Sequence, residues 1–503
     1  MNSSKQIKLG AVLSYLGIIV NILVGLLYTP WMIHKIGKAD YGLYTLTLSI
    51  ISFFVCDFGL SAAVARFVAK YLAEDNKQKV QNFLGIVTKL YVYIDIFIFL
   101  ILASVYFFLP TIYQRLTLEE IEKFKVLYVI ASSFSIVSFP FIPLNGIISA
   151  FEDFVDLQLC NLFNKIFTVT CLIVCLKVGL GLYSLVLVNA VSGIVTIILK
   201  LIVVRKRLSL RVNWSFSDHK ILMSVLYFSG WTTVIVLCQR CIFNIAPTIL
   251  GHFANSESIA VLGVAISLEA YTYLYANALN GMFLPKVSRL IYSKQEILPL
   301  MIKVGRIQIL LIGIIFIGFA LVGRHFVQLW LGDGFDSVFI CTLLLILPSF
   351  ISLPQEIAEQ AIIAENKVKH RAIVFVGMAL INVILSIILA RIYGVVGVAV
   401  AIFFSYMLRV IAMNYIYWKI LGINIFLFFK ESFGKMLPGL LTVLILCYGI
   451  NYMLPPIGLV SFLIKVVIMS VLYIVLMYYM VMNENEKSLI FNLVDNIKKR
   501  IKK

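Results

Sequence analysis

Fourteen apolar runs, each long enough to cross a lipid bilayer, follow one another along this 503-residue chain. The first covers residues 9–29 and the last 457–482, with only short polar stretches between. A helix needs about 20 mostly apolar residues to span the hydrocarbon core of a membrane. The chain therefore reads as an all-α polytopic membrane protein of about 14 transmembrane helices. Composition enters as a second exclusion. It is 62% hydrophobic and 13% charged, where a soluble domain carries about 45–50% apolar and about 25% charged residues. A soluble enzyme with a polar shell, a disordered chain and a secreted disulfide scaffold are all excluded. Lys5 and Lys8 precede the first run and no small-residue cleavage site follows it, so it reads as a span and not a removed signal peptide. The shortest separations, Lys177–Gly181, Arg391–Gly394 and Pro455–Gly458, predict tight helical hairpins for spans 5/6, 11/12 and 13/14.

The net charge of +18 acquires meaning once it is placed on a topology. With the N-terminus in the cytoplasm and sides alternating, most of the 42 Lys and Arg fall in cytoplasmic segments. Such a bias orients polytopic proteins, and it predicts both termini inside. One segment departs from it: Phe151–Gln158 has Glu152, Asp153 and Asp156 and no cation. Attraction to anionic lipid of the inner leaflet accounts for the basic balance, so no nucleic-acid partner is expected. In the tail 483–503, Leu489, Ile490, Leu493, Val494 and Ile497 keep helical spacing and Lys498, Lys499, Arg500, Lys502 and Lys503 follow, which predicts a basic amphipathic surface helix.

Segments about 215 residues apart look alike, the pattern of a duplicated transporter. Gly10 and Gly230 open spans 1 and 7. Tyr41-Gly-Leu-Tyr opens span 2 and Ile259-Ala-Val-Leu-Gly opens span 8. Pro143 precedes Ala150-Phe-Glu-Asp, and Pro354 precedes Ala364-Glu-Asn-Lys. Gly179-Leu-Gly181 opens span 6 and Gly394-Val-Val-Gly397 opens span 12. The expected organisation is a six-helix lobe at 1–210, a second at 211–425, helices 13 and 14 at 426–482, and the tail at 483–503. An even number of spans per copy makes the repeat parallel, about an axis along the membrane normal. Two facing lobes suit alternating access.

Gly37-Lys-Ala-Asp-Tyr41-Gly-Leu-Tyr, then Asp57-Phe-Gly59-Leu, then Arg66-Phe-Val-Ala resembles the N-terminal signature of the polysaccharide-transporter family. These are the Wzx-type flippases of O-antigen and capsule repeat units, in the multidrug/oligosaccharidyl-lipid/polysaccharide exporter superfamily. The resemblance implies a bacterial inner-membrane protein that flips a polyprenyl-diphosphate-linked oligosaccharide for surface polysaccharide assembly. It also implies a cationic cleft, no bound cofactor, coupling to a proton or sodium gradient, and work alongside a polysaccharide polymerase and chain-length proteins. One departure stands out. Relatives often carry an acidic residue early in span 7, where this chain has Arg240, so no ion-coupling residue carries over to that position.

A charge at the bilayer centre costs about 2.5–3.5 kcal/mol on insertion scales, which makes each one a functional candidate. Arg240, Asp95 and Glu269 lie nearest the middle of their spans. Arg240 ranks first, because a guanidinium stays charged and matches two phosphate oxygens at once. Pairing with Glu269 or Asp95 is the structural alternative. Lys89, Lys165 and Arg409 either line a cationic cleft or snorkel to headgroups. Asp57, beside Gly59, either holds a local bend or joins Asp95 and Glu269 as an ion-coupling or gating carboxylate. Tyr271, Tyr273 and Tyr275, followed by Asn277 and Asn280, either contact sugar or satisfy one another between helices. Lys465 reads as an anchor or lipid contact. The five His are scattered, which argues against a metal site. Cys238-Gln-Arg-Cys241 has redox spacing but lies inside a span. No phosphate-binding glycine loop or catalytic motif is present, so a transporter is expected rather than an enzyme. The rivals are an extruder of cationic drugs, which should have an acidic cleft, and a polytopic polysaccharide polymerase, which usually has a large external loop.

Overall fold

The computed structural model of the chain describes residues 3–207, 212–277, 283–293, 295–453, 458–484 and 486–488. Eighteen α-helices and no strand occur among them. They are α1 (Ser3–Ile36), α2 (Lys38–Phe54), α3 (Leu60–Ala73), α4 (Lys77–Ile112), α5 (Leu118–Ser138), α6 (Leu144–Ala150), α7 (Phe154–Lys177), α8 (Gly181–Arg207) and α9 (His219–Phe253). There follow α10 (Ser256–Asn277), α11 (Leu284–Tyr292), α12 (Leu298–Leu331), α13 (Asp336–Ser352), α14 (Glu356–Ala364), α15 (Val368–Leu421), α16 (Ile425–Phe429), α17 (Lys435–Met453) and α18 (Gly458–Met480). The chain is a multi-pass membrane protein, as its sequence predicts. Asn280 and the part of the basic tail beyond residue 488 lie outside the described residues.

Twelve of the described helical segments are long and apolar enough to span a bilayer, against the fourteen runs expected. The difference falls in two places. The second run, expected as one helix over 41–64, is split into α2 and α3, each too short to cross alone. Runs 11 and 12 merge into the 54-residue α15. At 1.5 Å per residue, a straight α15 would measure about 80 Å, against a core of about 30 Å. It cannot stay straight, and Gly394 departs from helical geometry at φ 55° and ψ −130°. Only glycine adopts such a backbone without strain. Three residues later Gly397 presses its α-carbon onto the Leu389 carbonyl, where a side chain has no room. The chain doubles back there, as the expected 11/12 hairpin requires.

The order of elements in 3–207 recurs in 219–421. A long helix (α1, α9) precedes a helix pair (α2/α3, α10/α11) and a second long helix (α4, α12). Then comes a helix interrupted by a single 3-10 turn, at Phe139–Phe141 in one case and Leu353–Gln355 in the other. The short helices after those turns end alike, with Glu152 at φ 58° and Asn366 at φ 57°. A closing hairpin (α7/α8, the two arms of α15) completes each set.

Packing divides the chain into two compact units. One comprises Met1–Val264 with Arg371–Ser405, the other Ala265–His370 with Tyr406–Lys503. In the first unit α1 packs on α7, α7 on α8, α2 on α5 and α9, and α3 on α6. Its α7/α8 hairpin is seamed by hydroxyls and amides. Asn164 donates to Thr196 at 2.6 Å and Thr168 to Ser192 at 2.7 Å. Such bonds hold helices together where the hydrophobic effect no longer acts between them. The N-terminal ends of α2, α5 and α10 meet on one face. Lys38 pairs with Glu257 at 3.3 Å, Lys123 with Asp40 at 3.5 Å, and Ser256 donates to Glu120. In the second unit α12, α17 and α18 enclose a core of Ile309, Val443, Cys447, Met469, Tyr473 and Met477. The Tyr473 hydroxyl donates to the Leu310 carbonyl at 2.9 Å. Helices 13 and 14 of the sequence reading thus pack onto α12.

Candidate functional site

The break in the second span organises the first unit. Phe58 and Gly59 have φ of 52° and 68°, a left-handed pair that no right-handed helix contains, lying between the end of α2 at Phe54 and the start of α3 at Leu60. Gly59 tolerates this conformation, and a Cβ there would meet the Thr232 side chain of α9 at 2.9 Å. Asp57 restarts the chain. Its carboxylate accepts the Ser61 backbone N–H at 3.1 Å, the Ser61 hydroxyl at 2.6 Å and the Tyr91 hydroxyl at 3.1 Å. Tyr91 is fully buried on α4. The Phe58 carbonyl, freed by the break, accepts the Thr233 hydroxyl of α9. A backbone opening inside a membrane protein survives only where its polar groups find such partners.

Arg240 lies near the middle of the span Ser229–Phe253, two turns beyond Thr233 on the same face of α9. Its Nη1 donates to the Ser52 carbonyl at 2.7 Å and to the Ser52 hydroxyl. Ser52 sits in the last turn of α2, where helix carbonyls have no intrahelical partner and the helix dipole is negative. The guanidinium therefore caps α2. Among the described residues of its own unit it makes no ion pair, so the alternative Arg240–Asp95 pair does not form. A carbonyl cap orients the cation and leaves its charge uncancelled, which a carboxylate would not.

The other expected residues distribute as follows. Lys89 donates to the Phe216 carbonyl at 3.1 Å, and so ties α4 to the connection before α9. Gly85, one turn earlier, leaves room for the Asn213 backbone on the same connection. Lys165 is half-buried on α7 and has no hydrogen-bond partner among the described residues. Asp95 is half-buried on α4, and its Oδ1 has no hydrogen-bond partner among them either. In the second unit Glu269, 7% exposed, accepts the Ser349 hydroxyl at 2.9 Å. Arg409 stacks over Tyr406 at 5.0 Å and lies within electrostatic reach of Glu359 and Glu269. Tyr271 and Tyr275 share one face of α10, while Tyr273, two residues from each, projects from another. The helix thus divides the tyrosines that the sequence shows as one cluster. Asp57 and Arg240 are brought to the same break. Glu269 and Arg409 form a separate polar cluster.

Two buried cations have partners that sequence reasoning did not find. Arg306, 5% exposed at the base of α12, pairs its Nε with Glu486 at 2.5 Å and its Nη2 with the same carboxylate at 3.0 Å. It also donates to the carbonyls of Val481 at 2.8 Å and Glu431 at 3.1 Å. No local signal announces a partner 180 residues away. Lys465, expected as an anchor or lipid contact, is 1% exposed. It donates to Asn451 at the end of α17, at 3.0 Å to the side chain and 3.4 Å to the carbonyl. No cluster of His, Cys, Asp and Glu fit to hold a metal ion occurs among the described residues.

The model of a family described as polysaccharide biosynthesis protein matches residues 8–292, more than half of the chain. No curated protein matches by sequence. Among solved structures, a lipid II flippase, MurJ, in an inward closed conformation is similar with a TM-score of 0.73 and 15% identity, over 93% of this chain and 97% of that one. An inward-facing multidrug resistance transporter of the MATE family and MOP superfamily is similar with a TM-score of 0.66 and 13% identity, over 80% and 96%. A MATE transporter of Vibrio cholerae follows at 0.58 and 13%, over 85% and 99%. At these identities the likeness carries the fold, which this chain shares with flippases and multidrug transporters.

Proposed function

The chain belongs to the polysaccharide biosynthesis protein family, and from that premise we propose that it flips a polyprenyl-diphosphate-linked oligosaccharide across the bacterial inner membrane. The observation that carries this reading is Arg240. It is a permanent cation near mid-span, aimed by the end of α2 and unpaired by any carboxylate of its own unit. A diphosphate passing between leaflets is the anion such a group fits, since the guanidinium fork meets two oxygens at once. Lys165 on α7 adds a second cation in the same unit. An extruder of cationic drugs has no use for either.

Transport by alternating access of two six-helix lobes, 1–210 and 211–425, is supported by the recurring element order, interruptions included. Asp57, Asp95 and Glu269 are the carboxylates available for proton or sodium coupling. The positive-inside bias supports both termini in the cytoplasm. The product, an oligosaccharide on a lipid carrier in the outer leaflet, would pass to a polymerase and its chain-length partners. The chain itself acts as a transporter and not as an enzyme.

The test is surface-polysaccharide export in cells that carry Arg240 variants, with membrane insertion checked in parallel. Arg240→Ala is expected to abolish export. Arg240→Lys is expected to impair it, because a point charge does not replace a bidentate fork. Wild-type export by both variants would remove Arg240 from the site.

A further inference from the structure

The break in the second span opens a pocket of about 560 Å³ between α2, α3, α4 and α9. Its wall is built of Phe53, Phe54, Phe58, Phe97, Ile98 and Leu237, with Ser229, Gly230 and Thr233 at one side. The two hydroxyls are already used: Ser229 donates to the Val225 carbonyl at 2.9 Å and Thr233 to the Phe58 carbonyl. The wall thus has no hydroxyl proton left to offer a sugar, and an apolar cavity of this kind does not hold ordered water. Its volume falls within the ~300–1,000 Å³ of small-molecule sites. A hydrocarbon chain is the occupant that fits. Phe97 is 63% exposed, so the wall is open to a chain entering from lipid.

Position decides which chain. Thr233, Leu237 and Arg240 are spaced i, i+4 and i+7 on α9, so the pocket wall leads along one helix face to the guanidinium. On α2, the Ser52 that holds Arg240 directly precedes Phe53 and Phe54 of the wall. Phosphates of resident phospholipid lie at the membrane surface, whereas Arg240 lies near mid-span. A phosphate that meets Arg240 has left the interface and belongs to a lipid in transit. We propose that this pocket takes the isoprenoid chain of the lipid-linked substrate while its phosphates lie at Arg240. The inference rests on the flippase reading above and adds a site for the lipid half of the substrate.

The probe is a long-chain polyprenyl phosphate bound to the purified full-length protein, with phosphatidylglycerol as the competing lipid, both read by native mass spectrometry. No atom lies within 4 Å of where a Cβ on Gly230 would be, so Gly230→Leu enters open space and fills the pocket. Leu237→Trp fills it from two turns further along α9. Each is expected to weaken polyprenyl phosphate binding about tenfold, the cost of unburying roughly two methylenes, and to leave phosphatidylglycerol unchanged. Equal loss of both lipids would make this an ordinary acyl-chain site and overturn the assignment. Unchanged polyprenyl phosphate binding in both variants would overturn it too, with the flippase reading intact. Failure of the wild type to bind polyprenyl phosphate would sink that reading and this inference together. In the unaltered protein, a photoreactive polyprenyl phosphate is expected to label α4 and α9 around Ile98 and Leu237, and labelling confined to other helices would refute the site.

Discussion

Two arginines show how far single residues can be read from sequence. Arg240 is legible because a charge in the middle of an apolar run is costly wherever it points. Its partner was not legible: the cap at Ser52 exists only because α2 ends there. If Arg240 binds a desolvated phosphate, its removal should cost about 2–5 kcal/mol of substrate affinity, the range for stripping one partner from a buried charge pair. Arg306 lies at the edge of its run and reads as an ordinary interfacial cation, yet it is buried against Glu486. Removing one partner of such a pair typically costs about 3–5 kcal/mol, while replacing both by apolar residues is often neutral. Arg306→Met alone and Glu486→Leu alone should therefore each lower the thermal stability of the purified protein. Arg306→Met with Glu486→Leu should restore most of the loss. A double variant as unstable as the sum of the singles would mean that the two residues act independently.

Elements were more legible than residues, within limits set by what a hydropathy run records. Apolar length locates a span but is blind to a backbone break inside it, because Val55–Gly59 is as apolar as the helices on either side. Asp57 beside Gly59 suggests a bend, and the structure makes it a full interruption. Close approaches leave a trace only as glycines. Gly42 fits against the Ser256 backbone, and Gly263 fits against the Thr45 side chain, which lets α2 and α10 touch as small residues do in membrane helix pairs. In the proposed duplication these helices belong to different lobes, so their contact must open during transport. A Cβ on Gly263 would stand 3.3 Å from that of Thr45, near the ~3.5–4.5 Å span of a disulfide. Thr45→Cys with Gly263→Cys, in a background lacking the eight native cysteines, should cross-link on oxidation and stop export. Reduction should restore export. Full export by the cross-linked protein would show that α2 and α10 need not separate.

For the whole molecule, the sequence carried the fold class and the family. It did so because lipid imposes one solution on the backbone and because the segments 37–44, 57–60 and 66–69 keep a family's signature. What it could not carry is the burial of Lys465 and Arg306, which depends on helices 13 and 14 packing back on α12. In the proposed function one chain both recognises a lipid diphosphate and moves it between leaflets. The most direct measurement places the purified protein in vesicles with a fluorescent polyprenyl-diphosphate-linked oligosaccharide in one leaflet and follows its arrival in the other by quenching. The expected result is transfer above that of protein-free vesicles, abolished by Arg240→Ala and reduced by Arg240→Lys. Transfer no faster than in protein-free vesicles, under both a proton and a sodium gradient, would contradict it.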